Sequence, residues 1–145
     1  MPPANPFVVA FDLDGTLYSS ETILGHAYDV AVAEANRRWG WSLVAPRLEA
    51  ILSLVGRPVG EILAVLFPEM PAERRLDFST LVLDDLVAQI TARKGAVFAG
   101  VPETLAELRR LGHPLVVVSN CRRAYLEAIL GTFELMPFFE AAACN

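Results

Sequence analysis

Apolar residues in this chain form short continuous runs and longer periodic stretches, which predict strands and helices. The run at 7–11, rich in β-branched and aromatic types, predicts a buried strand. A second run at 115–118 predicts another strand, and 138–142 predicts the beginning of a third. Amphipathic helices are predicted over 102–111 and 122–130. This alternation of strands and helices predicts an α/β fold with a parallel sheet.

Positions 18–95 carry a helical pattern instead. The predicted helices cover 21–38, 46–54, 59–67 and 71–93, and most of their ends coincide with a proline or a glycine. Gly95 is expected to cap the fourth of them. The sequence therefore predicts an α/β core formed by 1–17 and 96–145, interrupted by an all-helical insertion at 18–95.

Two carboxylates, Asp12 and Asp14, follow the first strand, with Gly15 and Thr16 directly after them. One carboxylate can attack phosphorus, while a second protonates the leaving oxygen and then activates water. Because two close carboxylates repel each other, a divalent cation is expected between them and the phosphate. An acidic turn at the end of a strand is the structural alternative. The full run of residues behind a buried strand favours phosphoryl transfer.

The run Asp12–Leu17 resembles the first motif, Asp-x-Asp-Gly-Thr, of the haloacid dehalogenase-like hydrolases. The resemblance implies that Asp12 is the nucleophile and Asp14 the general acid/base. It implies Mg²⁺ bound by the Asp12 carboxylate and the Asp14 backbone carbonyl. It also implies a Rossmann-like core of three α/β/α layers, with the site at the carboxyl ends of the strands. The insertion at 18–95 resembles the helical cap of the family's phosphoglycolate phosphatase-like branch.

Further phosphate contacts are implied by the same resemblance. Ser119, at the end of the second strand, corresponds to the family's second motif, whose hydroxyl binds the transferring phosphoryl group. Asn120 follows and could direct a backbone N–H at the phosphate, although a Ser-Asn pair is also favoured at a helix N-terminus. Leu13, Gly15 and Thr16 of the first motif are expected to contribute to phosphate binding.

Arg57 lies in a Gly-Arg-Pro turn between two predicted helices of the insertion. In cap-bearing relatives a polar residue near this point often reaches the active site. A guanidinium group suits either a carboxylate or a phosphate of the substrate. A solvated arginine in a turn is the alternative interpretation, and the sequence leaves both open.

Composition narrows the functional classes. The 145 residues are 54% hydrophobic, but no apolar stretch is long and uncharged enough to predict a membrane span. No signal peptide is recognisable, which predicts a cytoplasmic protein. A net charge of −5 and the lack of a basic run argue against nucleic acid as a partner. Cys121 and Cys144 lack metal-site spacing and are expected to be reduced thiols.

Two later motifs of the resembled family, a lysine and then a strand ending in an acidic pair, have no counterpart. The chain has no lysine after Lys94 and no aspartate after Asp85. We therefore expect a chain truncated before the third and fourth motifs. The first strand would then form an exposed hydrophobic edge, which predicts homo-oligomers or poor solubility.

These observations predict Mg²⁺-dependent hydrolysis of a small phosphate monoester, a phosphorylated metabolite, through an aspartyl-phosphate. A sugar phosphomutase of the same family, which transfers the phosphoryl group between hydroxyls, is the nearest alternative. A catalytically incomplete protein that binds a phosphorylated ligand or a partner chain is an alternative from a different class. A dehalogenase is disfavoured because Asp14 supplies the second carboxylate that phosphoryl transfer needs.

Overall fold

The computed structural model describes residues 6–144, in which strands alternate with helices. The strands are β1 Val9–Phe11, β2 Tyr18–Ser19, β3 Ala96–Val97, β4 Leu115–Val118 and β5 Ala141–Ala143. The helices are α1 Glu21–Trp39, α2 Leu48–Leu52, α3 Val59–Leu66, α4 Ala72–Thr91, α5 Val101–Arg110 and α6 Arg123–Thr132, and a 3-10 turn covers Met136–Phe138. The predicted α/β fold is confirmed.

The main sheet is parallel and has the strand order β1–β4–β5. Val9 of β1 lies opposite Leu115 of β4, and Phe11 lies opposite Val117. Because parallel strands run in one direction, the segments that follow β1, β4 and β5 all emerge at the same edge of the sheet. The sheet thus brings together residues that are distant in sequence.

A second, antiparallel pair joins β2 to β3, with Tyr18 opposite Val97 and Ser19 opposite Ala96. The four helices α1–α4 lie between these two strands in the chain, and α1 packs along α4. The predicted boundaries of the helical insertion fall at this strand pair. The division into core and cap stays a prediction.

The buried side chains form a hydrophobic cluster that extends from the sheet into the helical segment. Leu13 and Leu115 near the sheet, Leu126 of α6 and Phe78 of α4 belong to it, and each is at most 1% exposed. Burial of a side chain of this size contributes about 1.5–3 kcal/mol to folding. Among residues 6–144, no helix combines the length and apolar character that a bilayer crossing would require.

The strands are shorter than the apolar runs that predict them. Phe7 and Val8 precede β1 and are 61% and 62% exposed, so the strand is shorter than the predicted 7–11. The prediction that it is buried is wrong, because Val9 and Phe11 are only half-buried and Ala10 is exposed. The reason is the position of β1 at an edge of the sheet, where no strand of residues 6–144 covers its outer side. In the predicted strand at 138–142, Phe138 belongs to the 3-10 turn and β5 begins at Ala141.

The end of α4 differs from the prediction that Gly95 caps it. The helix ends at Thr91, and Arg93 takes the left-handed conformation, with φ 61°. The N–H of Lys94 donates to the Gln89 carbonyl at 3.0 Å, and the N–H of Arg93 donates to Ile90 at 2.7 Å. These two bonds form a Schellman motif, in which Arg93 and Lys94 satisfy two of the last carbonyls of the helix. The helix is therefore capped at Arg93, two residues before Gly95.

Gly95 instead allows the chain to pass the buried ring of Tyr18, whose hydroxyl donates to the Lys94 carbonyl at 2.8 Å. Gly95 has φ 76°, and a Cβ there would overlap the Tyr18 hydroxyl and lie 3.1 Å from the Ser19 carbonyl oxygen. The glycine is therefore required where α4 returns to the strand pair.

We predict that Gly95→Ala destabilises the fold by about 2 kcal/mol or more, because it combines a strained φ with a steric overlap. Thermal unfolding followed by circular dichroism measures the effect. Gly131→Ala is the matched control, since Gly131 lies within α6 and a Cβ there would meet nothing within 4 Å. A melting temperature for Gly95→Ala at or above that of the parent chain would contradict the assignment.

The exposed edge of β1, with Phe7 and Val8 beside it, predicts self-association of the 145-residue chain. Sedimentation velocity at micromolar concentration should show dimers or larger species. Val8→Lys should shift the distribution towards monomer, because a lysine at an edge discourages pairing between chains. A parent chain that sediments as a monomer throughout this range would contradict the prediction.

Candidate active site

Asp12 and Ser119 follow neighbouring parallel strands. Asp12 comes directly after Phe11 of β1, and Ser119 directly after Val118 of β4. The Ser119 N–H donates to the Ala143 carbonyl at 3.0 Å, and its Oγ accepts the Cys121 N–H at 3.2 Å. The parallel pairing therefore brings a carboxylate and a hydroxyl to one edge of the sheet.

The turn after Asp12 is held by its own backbone. The Leu13 carbonyl accepts the N–H groups of Thr16, Leu17 and Tyr18 at 2.9–3.3 Å, and the Gly15 N–H donates to Tyr18 at 2.9 Å. Gly15 has φ 78°, a conformation that favours glycine. Two of these bonds, from the Gly15 N–H to the Tyr18 carbonyl and from the Tyr18 N–H to the Leu13 carbonyl, form a β-bridge between Asp14 and Tyr18. Neither bond involves the N–H or the carbonyl of Asp14.

The Asp14 carboxylate is the most perturbed acid of the site. Tyr125 of α6 donates its hydroxyl proton to Asp14 Oδ1 at 2.7 Å. The pKa of Asp14 is raised from 3.8 to about 6, with burial as the largest cause; hydrogen bonds from Tyr125 and Ser20 oppose the rise, and the negative charge of Asp12 adds to it. A carboxyl group with such a pKa can give or take a proton near neutral pH.

A cavity of about 120 Å³ opens over these groups. Its lining combines the sheet edge, the turn at Gly56 and three helices of the insertion. Most of the helical side is apolar, and its apolar side chains are Leu24, Val55, Val59, Ile62, Val82, Leu83 and Leu86. The cavity thus has polar side chains at the sheet edge and mainly apolar side chains on its helical side. Its volume suits a small molecule.

Five of the predicted site residues line this cavity, namely Asp12, Asp14, Arg57, Ser119 and Asn120. The Asn120 side-chain amide donates to the Gly56 carbonyl at 3.0 Å. This bond links the loop after β4 to the turn that carries Arg57, whose side chain is exposed at the rim. The sheet edge and the helical insertion therefore meet at the cavity.

Three predicted phosphate-binding residues lie elsewhere. The Leu13 side chain is fully buried in the core. Gly15 is not part of the cavity lining, and Thr16 lines a separate groove beside α5. The N–H groups of Gly15 and Thr16 are engaged within the turn. Any contribution of these three residues to phosphate binding stays a prediction.

The sequence analysis did not identify several polar residues that line the cavity. Tyr125 and Arg122 lie at the beginning of α6, and Tyr28 and Ser79 lie on helices of the insertion. Burial raises the pKa of Tyr28 to about 12, so its hydroxyl stays protonated. The sequence held one usable signal for Tyr125 and Arg122. The helix that contains or follows them comes directly after the strand that precedes Ser119, and the first turn of such a helix lies near the same edge of the sheet.

The two cysteines are free thiols, as predicted. Cys121 lines the cavity, and burial raises its pKa to about 11. Because the thiolate is the reactive form, this thiol is a poor nucleophile at neutral pH.

Asp12 and Asp14 offer oxygen ligands of the kind that Mg²⁺ prefers. Among residues 6–144, no three side chains of His, Cys, Asp or Glu gather into a fuller metal site. Mg²⁺ is commonly held by one or two carboxylates together with water and substrate phosphate. Burial is the largest cause of the raised pKa of Asp14, and the negative charge of Asp12 adds to it; a bound cation would relieve this repulsion between the two carboxylates. The residues present therefore fit this ion.

Comparison with known proteins reveals two curated relatives. The chain is 32% identical over 141 residues to a phosphoglycolate phosphatase of Caulobacter vibrioides and 29% identical over 138 residues to one of Vibrio vulnificus. These matches cover 94% and 91% of this chain but 56% and 58% of the relatives. The chain thus spans somewhat more than half of their length.

Solved structures share the fold. A predicted phosphatase from Clostridium acetobutylicum superposes with a TM-score of 0.79 at 22% identity. The match covers 95% of this chain and 60% of that structure. Residues 8–145 also match the family described as haloacid dehalogenase-like hydrolase. The chain belongs to the haloacid dehalogenase-like hydrolase family.

Proposed function

We propose that this protein hydrolyses a small phosphate monoester through an aspartyl-phosphate formed on Asp12. The main support is the pairing of Asp12 with a desolvated, hydrogen-bonded Asp14 in one cavity, beside the Ser119 hydroxyl. One carboxylate is available as a nucleophile, while the other is tuned to exchange protons. This division of roles between two acids is what a two-step hydrolysis requires.

In the first step a carboxylate oxygen of Asp12 attacks phosphorus, and the bond from phosphorus to the ester oxygen breaks. Protonated Asp14 gives its proton to the departing oxygen, which leaves as an alcohol. The hydroxyl of Ser119 and the N–H groups near Asn120 hold the phosphoryl oxygens as charge develops on them. The apolar wall limits water during this step.

In the second step Asp14, now a carboxylate, takes a proton from water. The water oxygen attacks phosphorus, the bond to Asp12 breaks, and inorganic phosphate leaves. The Tyr125 hydroxyl holds Asp14 Oδ1 through both steps. Burial and the charge of Asp14 raise the pKa of Tyr125, so the phenol remains a donor.

The Asp12 carboxylate and the Asp14 backbone carbonyl are the groups that would hold Mg²⁺. When bound, this ion neutralises charge on the phosphoryl oxygens. The substrate we propose resembles that named for the two curated relatives, a phosphorylated hydroxy acid of a few carbons. The small cavity supports a compact ester.

We expect the chain to release inorganic phosphate from phosphoglycolate in the presence of Mg²⁺, and to lose this activity in excess EDTA. Asp12→Asn should lower kcat by more than about a thousandfold, because a neutral amide cannot replace the attacking carboxylate. Asp29→Asn is the control, since Asp29 is an exposed aspartate of α1. Retention of turnover by Asp12→Asn would refute the assigned nucleophile.

We also expect Asp14→Asn to stabilise the metal-free protein in a pH-dependent way. An aspartate whose pKa rises from 3.8 to about 6 on folding costs stability as the pH increases through this interval, because the unfolded chain releases the proton first. The variant should gain up to about 3 kcal/mol above pH 6 and little below pH 4. Urea unfolding with EDTA across this range measures the difference, and a gain independent of pH would contradict the raised pKa.

A further inference from the structure

Charged side chains of both signs line the cavity. Asp12 and Asp14 lie at the sheet edge, whereas Arg57 lies on the turn between α2 and α3 and Arg122 lies just before α6. Most of the remaining helical lining is hydrocarbon. A ligand in the cavity can therefore contact both carboxylates and guanidinium groups.

Arg122 is half-buried and has neutral partners. Its Nη1 donates to Ser79 Oγ at 3.3 Å and to Thr80 Oγ1 at 3.2 Å. Within residues 6–144, no carboxylate lies within 4 Å of its guanidinium, whereas the neighbouring Arg123 pairs with Glu127 at 3.7 Å. A guanidinium that is partly removed from water is stabilised when an anion binds to it. The arrangement has the character of an anion site.

The direction of the Arg122 side chain suggests which anion it serves. Both of its hydroxyl partners lie on α4, in the helical insertion, rather than at the sheet edge that carries Asp12. The guanidinium is thus bound to the helical side of the cavity, which we take as the side that the leaving group faces when the phosphoryl group lies at Asp12. Val82 and Leu86, one and two turns further along α4, are apolar and strengthen an ion pair formed there.

We infer that Arg122 is a specificity-determining residue that binds a carboxylate on the alcohol portion of the substrate. The inference rests on the proposed function and deepens it, because it names the residue that would recognise the acid group of the substrate proposed above. Arg122 would pair with that carboxylate while the phosphoryl group occupies the sheet edge. The planar guanidinium can bind a carboxylate with two parallel hydrogen bonds.

The test is a binding measurement in the Asp12→Asn background, which removes turnover. Calorimetry with Mg²⁺ compares phosphoglycolate with ethyl phosphate, in which a methyl group replaces the carboxylate. We expect phosphoglycolate to bind about tenfold to a hundredfold more tightly. Adding Arg122→Gln should abolish this preference without changing the affinity for ethyl phosphate. Adding Arg123→Gln, the matched control on the adjacent residue, should preserve the preference.

Three results would overturn the inference. A preference that survives Arg122→Gln would exclude the residue from selectivity. An equal weakening of both esters would assign Arg122 to the transferring phosphoryl group instead. Equal binding of the two esters by the Asp12→Asn chain would remove the proposed acid subsite.

Folding and function are tested separately. Thermal unfolding shows whether each variant is folded. If Arg122→Gln does not fold, Arg122→Met replaces it as a second uncharged variant, and the same loss of preference for phosphoglycolate is expected. Arg122→Lys should keep part of the preference because it retains the charge. The proposed hydrolysis is tested by a different measurement. If the chain with Asp12 intact releases no phosphate, the proposed hydrolysis is wrong, regardless of which ester the Asp12→Asn chain prefers to bind.

Discussion

The parallel pairing of β1 with β4 is the constraint on which the rest of the molecule depends. Three residue pairs, from Val9–Leu115 to Phe11–Val117, set the register. A shift by one residue would reverse which side chains face the core, moving the residues of β1 to the opposite faces. It would also move Asp12 away from Ser119. The hydrophobic packing that selects the register therefore selects the geometry of the candidate site.

The site is built at a cost to stability. Asp14 lies in surroundings that oppose its ionisation, and Asp12 adds a like charge nearby. Tyr125 and Ser20 compensate only in part, through hydrogen bonds to the charged form. Such partly compensated burial is common at catalytic carboxylates. The same burial that lowers the stability of the fold raises the pKa of the carboxyl group towards neutral pH, where it can transfer protons.

Much of this arrangement was predictable from short-range signals. Apolar runs and the acidic motif identify β1, β4 and the carboxylates, since strand burial and turn chemistry are local properties. For Tyr125 and Arg122 the sequence indicated at most a position near the sheet edge, because their contacts depend on how α6 packs against the turn after β1 and against α4. Ser79 was not predictable, since its contribution depends on the packing of α4 against α6. Gly95 shows the same limit: a glycine near a helix end suggests a cap, yet its actual role is clearance for Tyr18, a residue 77 positions earlier.

The strand pair β2–β3 also bears on how the chain folds. The partners of the main sheet, β1 and β4, lie about a hundred positions apart, and closing so long a loop is entropically slow. Helices α1–α4 can form from local contacts, and pairing of β2 with β3 then joins the two ends of this segment. Once they are joined, the effective separation between β1 and β4 falls to a few tens of residues. Pairing of β2 with β3 before the main sheet forms would thus shorten the loop that closes when β1 meets β4.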